Sequence, residues 1–212
     1  MVVELPVKTF ETCLQAVNDA DSAQGLLDAV EDLAVLKDVQ AIPTLIQVLG
    51  FNNPGAAVAA VEGLIQIGIP AVSPLLEKLD GYNYGARAWA IRALAGIGDP
   101  RGLFLLLHAT VNDFSLSVRR AAAHGLGTIR WENMPAQERE MAQEQSQKIL
   151  LQAVQDDDEW VVRYAAVVGL EALALVILDT KTIIQCLKHV SHDDETLAVQ
   201  ARAQWALEKI AS

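Results

Sequence analysis

Trp89 and Arg92 stand three residues apart, one turn on a single face if the segment is helical, and between them they offer recognition chemistry. An exposed indole presents a ring face for stacking and a guanidinium presents a cation for carboxylates. Together they suit a flat, anionic, conjugated molecule. Arg202 and Trp205 repeat the combination in reverse order. The competing reading has Trp89 or Trp205 packed against an adjacent structural unit or a protein partner. Tyr82 and Tyr84 precede the first pair in a turn-forming stretch, and Arg87 lies between them and Trp89.

Residues that would carry covalent or metal chemistry are not arranged for it. The sequence has no glycine-rich phosphate loop, nucleophile elbow, cysteine–histidine metal set or acid pair. His189 and His192 are three apart with no third ligand near them, which reads as a surface pair rather than a zinc site. Cys13 and Cys186 lie far apart without a metal-spaced neighbour and read as reduced, partly buried thiols. No catalytic side chain and no metal ligand is assigned.

The elements that must position Trp89 and Arg92 come from a repeat. Leu33, Leu64, Leu94, Leu126, Leu170 and Leu207 serve as anchors spaced 31, 30, 32, 44 and 37 residues apart. Four residues before each anchor stands an alanine (Ala29, Ala60, Ala90, Ala122, Ala166, Ala203), and three after it a leucine or isoleucine. Offsets of −4, 0 and +3 share one helical face, so each anchor closes the second helix of a pair. At −1 stand Gly63, Ala93, Gly125, Gly169 and Ala206, small enough to let neighbouring helices approach closely. First helices begin near Pro43, Pro70 with Pro74, and Pro100. Turn-forming clusters at 52–55, 80–85 and 156–158 separate the two helices of a pair.

The expected fold is therefore all-α, a HEAT-like solenoid of about six antiparallel helix pairs in one domain over residues 1–212. Its irregularity is an inter-repeat insertion at about 131–147, rich in Glu and Gln, read as a long loop leading into an extended helix.

Within that frame the −5 and −2 columns are expected to face away from the packing stripe and line the inner surface of the curve. They hold Trp89 and Arg92, then Ala121 and His124, Ala165 and Val168, and finally Arg202 and Trp205. At −7 stand Arg87, Arg119 and Arg163. Asp113 and Asp157 precede the last two by six residues, so the spacing predicts ion pairs within each repeat. Arg87 has Gly81 there instead and is read as more available to a ligand.

The net charge of −11, from 27 acidic and 16 basic residues, argues against nucleic acid and an anionic membrane surface as partners. Residues 1–10 lack a signal-peptide pattern. The longest apolar stretch, Ala165 to Leu178, is broken by Gly169 and Glu171 and falls short of the roughly 20 residues a span needs. A cytoplasmic protein without membrane insertion is expected.

Four segments carry a family resemblance: 52–58 (NNPGAAV), 83–94 (NYGARAWAIRAL), 116–122 (LSVRRAA) and 159–164 (EWVVRY). They closely resemble the phycobilin lyases of cyanobacteria and red algae, in particular the smaller subunits of the heterodimeric lyases that serve the phycocyanin α-subunit. The resemblance spans roughly Pro43 to Leu173, and the second and fourth segments are its specific parts. It implies a larger HEAT-like subunit as partner, phycocyanobilin as transferred substrate rather than resident cofactor, and the phycocyanin α-subunit as acceptor through a cysteine thioether. It further implies that Tyr82, Tyr84, Arg87, Trp89, Arg92 and His124 bind the bilin. Arginines would hold its propionates and aromatic rings its faces, while a carboxylate for its pyrrole nitrogens would come from Asp80 or the partner subunit. Isomerising relatives carry an Asn-His-Cys motif. Here Cys13 follows Thr12 and Cys186 follows Gln185, so transfer without isomerisation is expected. The alternative activity is a non-enzymatic relative that binds phycobiliproteins and promotes chromophore removal or antenna degradation.

Overall fold

A computed structural model of the chain describes residues 8–77 and 84–212. Among the described residues there are twelve α-helices and no strand. By its contacts the chain divides into two compact units, Met1–Ala93 and Leu94–Ser212, with the division falling inside one helix.

The first unit holds α1 (Phe10–Asp19), α2 (Ala23–Val35), α3 (Ile42–Val48), α4 (Pro54–Ile67), α5 (Val72–Glu77) and the greater part of α6 (Tyr84–Ile97). Short polar side chains start α1, α2 and α4 by satisfying orphan N–H groups. Thr9 and Thr12 form a reciprocal capping box on α1. Ser22 accepts from the Gly25 amide and Asn53 from the Ala56 amide, each at 3.1 Å. Asn53 also donates to the Ala23 carbonyl at 2.9 Å, which ties one repeat's turn to the start of the preceding second helix. Second helices α2 and α4 lie side by side. A Cβ at Gly63 would stand 2.7 Å from that of Ala34, so the small residue at −1 is what lets them meet.

The second unit holds the end of α6, then α7 (Leu103–Asn112), α8 (Leu116–Leu126), α9 (Ala136–Asp156), α10 (Trp160–Ala174), α11 (Lys181–Asp193) and α12 (Leu197–Ala211). α8, α10 and α12 form one layer and α7, α9 and α11 the other. The close approach recurs: a Cβ at Gly125 would stand 2.7 Å from that of Ala95, and one at Gly127 would stand 2.8 Å from the Gly169 Cα. The −1 residue of one second helix thus meets the +1 region of the preceding one. α12 presents exposed Gln204 where the inner second helices carry Val, Ile or Ala, as a solvated face requires.

Residues 131–147 are mostly helix rather than loop. A single 3-10 turn at Trp131–Asn133 leads directly into α9, whose 21 residues absorb the extra length as helical turns. Glu and Gln are good helix formers, and that propensity decides the outcome.

Gly98 follows α6 with φ +68, and its carbonyl accepts from the Arg130 amide at 2.8 Å. A Cβ there would collide with the Thr128 carbonyl oxygen. Gly98→Ala therefore combines left-handed strain with overpacking and is expected to cost about 2–3 kcal/mol in chemical unfolding; an unchanged midpoint would show that this turn yields freely.

The arginine ladder forms with a different register from the one expected. Arg119 donates from Nε and Nη2 to the two carboxylate oxygens of Asp157 at 2.6 and 3.0 Å. Arg163 repeats the fork on Asp194 at 2.8 and 3.1 Å and also reaches Glu195. The acid partner therefore belongs to the following turn, whereas the turn six residues earlier supplies only backbone: Nη1 donates to the Asp113 carbonyl at 3.0 Å and to that of Asp157 at 2.9 Å. Each of these acids also accepts an amide of its own turn, from Ser115, Glu159 and Thr196 respectively, which fixes the carboxylates of Asp157 and Asp194 within reach of the preceding repeat. In the last pair Gln200 replaces the arginine and keeps carbonyl contacts, to Asp194 at 2.6 Å and to His192 at 3.4 Å.

Candidate functional site

α6 carries the candidate site because its two faces differ. Ala90, Ile91, Ala93 and Leu94 are buried on one side. At 100° per residue Trp89 and Arg92 point roughly away from Leu94, and there Trp89 is half-buried and Arg92 exposed. The Arg92 guanidinium carbon lies 5.6 Å from the indole centroid, a cation–π distance. The stack preorients the guanidinium and leaves its edge to solvent, where an incoming carboxylate could take a bidentate hydrogen bond. The structure thus brings Trp89 and Arg92 together.

The second Trp–Arg pair looks alike in sequence and differs in chemistry. Arg202 lies 5.1 Å below the Trp205 ring. Its side chain is only 7 % exposed, and its Nη1 donates to Glu171 on α10 at 2.7 Å. That charge is already neutralised in the packing, so the pair offers an exposed ring without an available cation. The expectation for the −5 column is corrected accordingly. Ala59, Ala165 and Arg202 are buried there, because the 60° between −5 and −2 turns the former toward the neighbouring helix. The −2 residues Glu31, Glu62, Arg92, His124 and Trp205 are exposed.

His124 is exposed on α8, in the second unit. Arg87 is half-buried on α6 and is not without a partner. Since ladder acids come from the following turn, the glycine at 81 does not make Arg87 more available to a ligand than Arg119 or Arg163. Tyr82 and Asp80 lie outside the described residues, as does the side chain of Tyr84.

Neither thiol is presented to a ligand. Cys13 and Cys186 are both free and buried. Burial pushes the Cys186 thiol above its ordinary range, and a hydrogen bond from Gln155 offsets this only in part. Neither is placed as a nucleophile. His189 Nδ1 lies 2.7 Å from a carboxylate oxygen of Asp193 on the exposed side of α11.

Sequence reasoning missed two features of the second unit. One is the Glu171–Arg202 bridge, signalled only by the charged residue at +1 on α10 where the four preceding repeats have Ala34, Ile65, Ala95 and Gly127. The other is a groove of about 570 Å³ between the turns at 154–158 and 189–195, with Arg163 in its lining. Its signal was the acid that recurs thirteen residues before three successive anchors: Asp113, Asp157 and Asp194.

Comparison with known proteins places these features. The family of HEAT repeats matches residues 72–171, in keeping with an all-α, HEAT-like solenoid. The phycocyanobilin lyase subunit beta of Pseudanabaena tenuis is 53 % identical over 202 residues, covering 93 % of this chain and 72 % of the relative. The phycocyanin alpha phycocyanobilin lyase CpcF of Synechocystis sp. is 51 % identical, covering 95 % and 94 %. Among solved structures, a chain from the complex of CpcE and CpcF of phycocyanin lyase from Nostoc sp. matches with a TM-score of 0.75 and 47 % identity, over 80 % of this chain and 99 % of that one.

Proposed function

Because the chain belongs to the phycocyanobilin lyase β-subunit family, we propose that it is the smaller subunit of a two-subunit lyase that joins phycocyanobilin to a cysteine of the phycocyanin α-subunit. The observation that carries the site is the Arg92 guanidinium held 5.6 Å from the Trp89 ring on the solvent side of α6. A bilin is a flat conjugated chain with two propionates, so the indole takes a ring face while Arg92 takes a propionate. Arg87, Tyr82 and Tyr84 are further candidates by their place in sequence.

The reaction asks little covalent help of this subunit. The acceptor's S–H adds across the ethylidene double bond of the bilin's first ring. A carbon–sulfur bond forms, the proton ends on carbon, and no group leaves. The task is to hold one conformer and one face against the right cysteine, which lowers the barrier by orientation. Two thiols that stay inside the protein fit this reading. Phycocyanobilin is here a substrate that passes through, with no cofactor kept. Without the Asn-His-Cys motif the bilin is transferred unisomerised. Among the described residues no single helix is long and apolar enough to cross a membrane, and we place the enzyme in the cytoplasm with its acceptor.

Co-expression with a larger HEAT-like subunit, a bilin source and the apo-α-subunit tests the assignment. A fluorescent acceptor band on a denaturing gel, present only when both lyase subunits are supplied, is the expected result. A colourless acceptor with a well-formed heterodimer would contradict it.

A further inference from the structure

One edge of the second unit repeats a pattern that the bilin site does not use. The first residues of α8, α10 and α12 are Leu116, Trp160 and Leu197, 40, 45 and 79 % exposed, and Phe114 in the turn before α8 is 68 % exposed. Each of the three lies ten residues before an anchor, so they recur in register along one layer of helices. Large apolar side chains at three successive equivalent positions are a surface feature and not scatter.

Exposed carboxylates gather beside Trp160 and Leu197, while Leu116 has the exposed Arg120 one turn along α8. Asp157 and Asp194 are neutralised by Arg119 and Arg163 in the ladder. Asp156 and Asp158 remain exposed beside the groove, Asp193 is exposed with His189 against it, and Glu195 is only partly offset by Arg163. A partner fitting this edge must therefore bring lysines or arginines around an apolar contact.

We propose that this edge is where the apo-acceptor subunit docks during bilin transfer, through a basic face that surrounds an apolar patch. The inference rests on the lyase reading above. An acceptor binds and leaves once per turnover, and a narrow apolar row set in exposed carboxylates suits such a short-lived, salt-sensitive contact. A permanent subunit interface needs a broader apolar core with fewer charges. The row also explains why Trp160 and Leu197 stay exposed at the first turn of their helices.

The test is binding of apo-acceptor to the assembled two-subunit complex without bilin, followed by KM and kcat for transfer. Two variants act independently: Trp160→Ser with Leu197→Ser removes the apolar row, and Asp158→Lys with Glu195→Lys reverses the charge. Each is expected to weaken acceptor binding about tenfold, with the loss appearing in KM. Added salt is expected to weaken the wild type and to spare the charge-reversed variant. Met141→Ser, exposed on α9 away from these positions, is expected to leave binding unchanged. Unaltered acceptor affinity in both variants overturns the proposal. Loss of the larger subunit from either variant overturns it as well, because the edge would then belong to the heterodimer. A wild-type complex that binds the acceptor through this edge yet transfers no bilin upholds the edge and counts against the lyase reading.

Discussion

Arg163→Ala is expected to destabilise the protein by about 3–5 kcal/mol, the cost of stripping the partner from a buried charge. Its guanidinium is 7 % and the Asp194 carboxylate 6 % exposed, so neither can fall back on water. Hydrogen bonding to Asp194 raises the already high pKa of Arg163, which favours its charged form further. Five hydrogen bonds to Asp194, Glu195 and the carbonyls of Asp157 and Asp158 disappear together. The acid left behind is Asp194, while Asp157 keeps Arg119. Thermal unfolding should therefore fall by roughly 10 °C, at about 2–4 °C per kcal/mol for a chain of this size. Arg163→Met combined with Asp194→Asn retains the acceptor for the Thr196 amide and removes both charges, so it should lose less than the single variant. A double variant that loses as much as the sum of both singles would show that the pair's charge is not the source of the effect.

Trp89→Ala and Arg92→Ala are each expected to slow bilin transfer by about a hundredfold, the scale of a misplaced reactant. The two differ in what they do to the fold. Arg92 is exposed and its loss should change stability by no more than about 0.5 kcal/mol. Trp89 is half-buried and will also lose packing. Arg92→Ala is accordingly the cleaner probe. Transfer rates and unfolding midpoints from one preparation decide the matter. Parallel loss of both in Arg92→Ala would make it a packing residue.

The anchors were legible because burial follows the 3.6-residue period: Leu33, Leu64, Leu126 and Leu170 are all fully buried. Small residues at −1 were legible for the same reason, since nothing larger fits where Gly63 meets Ala34. The ladder was half legible. Spacing identified Arg119, Arg163 and their turns, yet a long side chain reaches its own turn and the next equally well, and only geometry shows that the fork closes on the following repeat. The two Trp–Arg pairs could not be told apart in sequence. Their difference lies in Glu171, 31 residues from Arg202, which consumes one cation. The insertion was read as loop because its composition is polar, whereas a two-layer stack accepts extra helical turns at a helix end without disturbing its neighbours.

Phycocyanobilin and its propionate dimethyl ester, titrated into heterodimers carrying either wild-type chain or Arg92→Ala, form a thermodynamic cycle on the contact the account depends on. The account predicts that esterification weakens binding about tenfold in the wild type, the scale of a charge-assisted hydrogen bond, and hardly at all in the variant. Equal weakening in both would mean that no propionate meets Arg92.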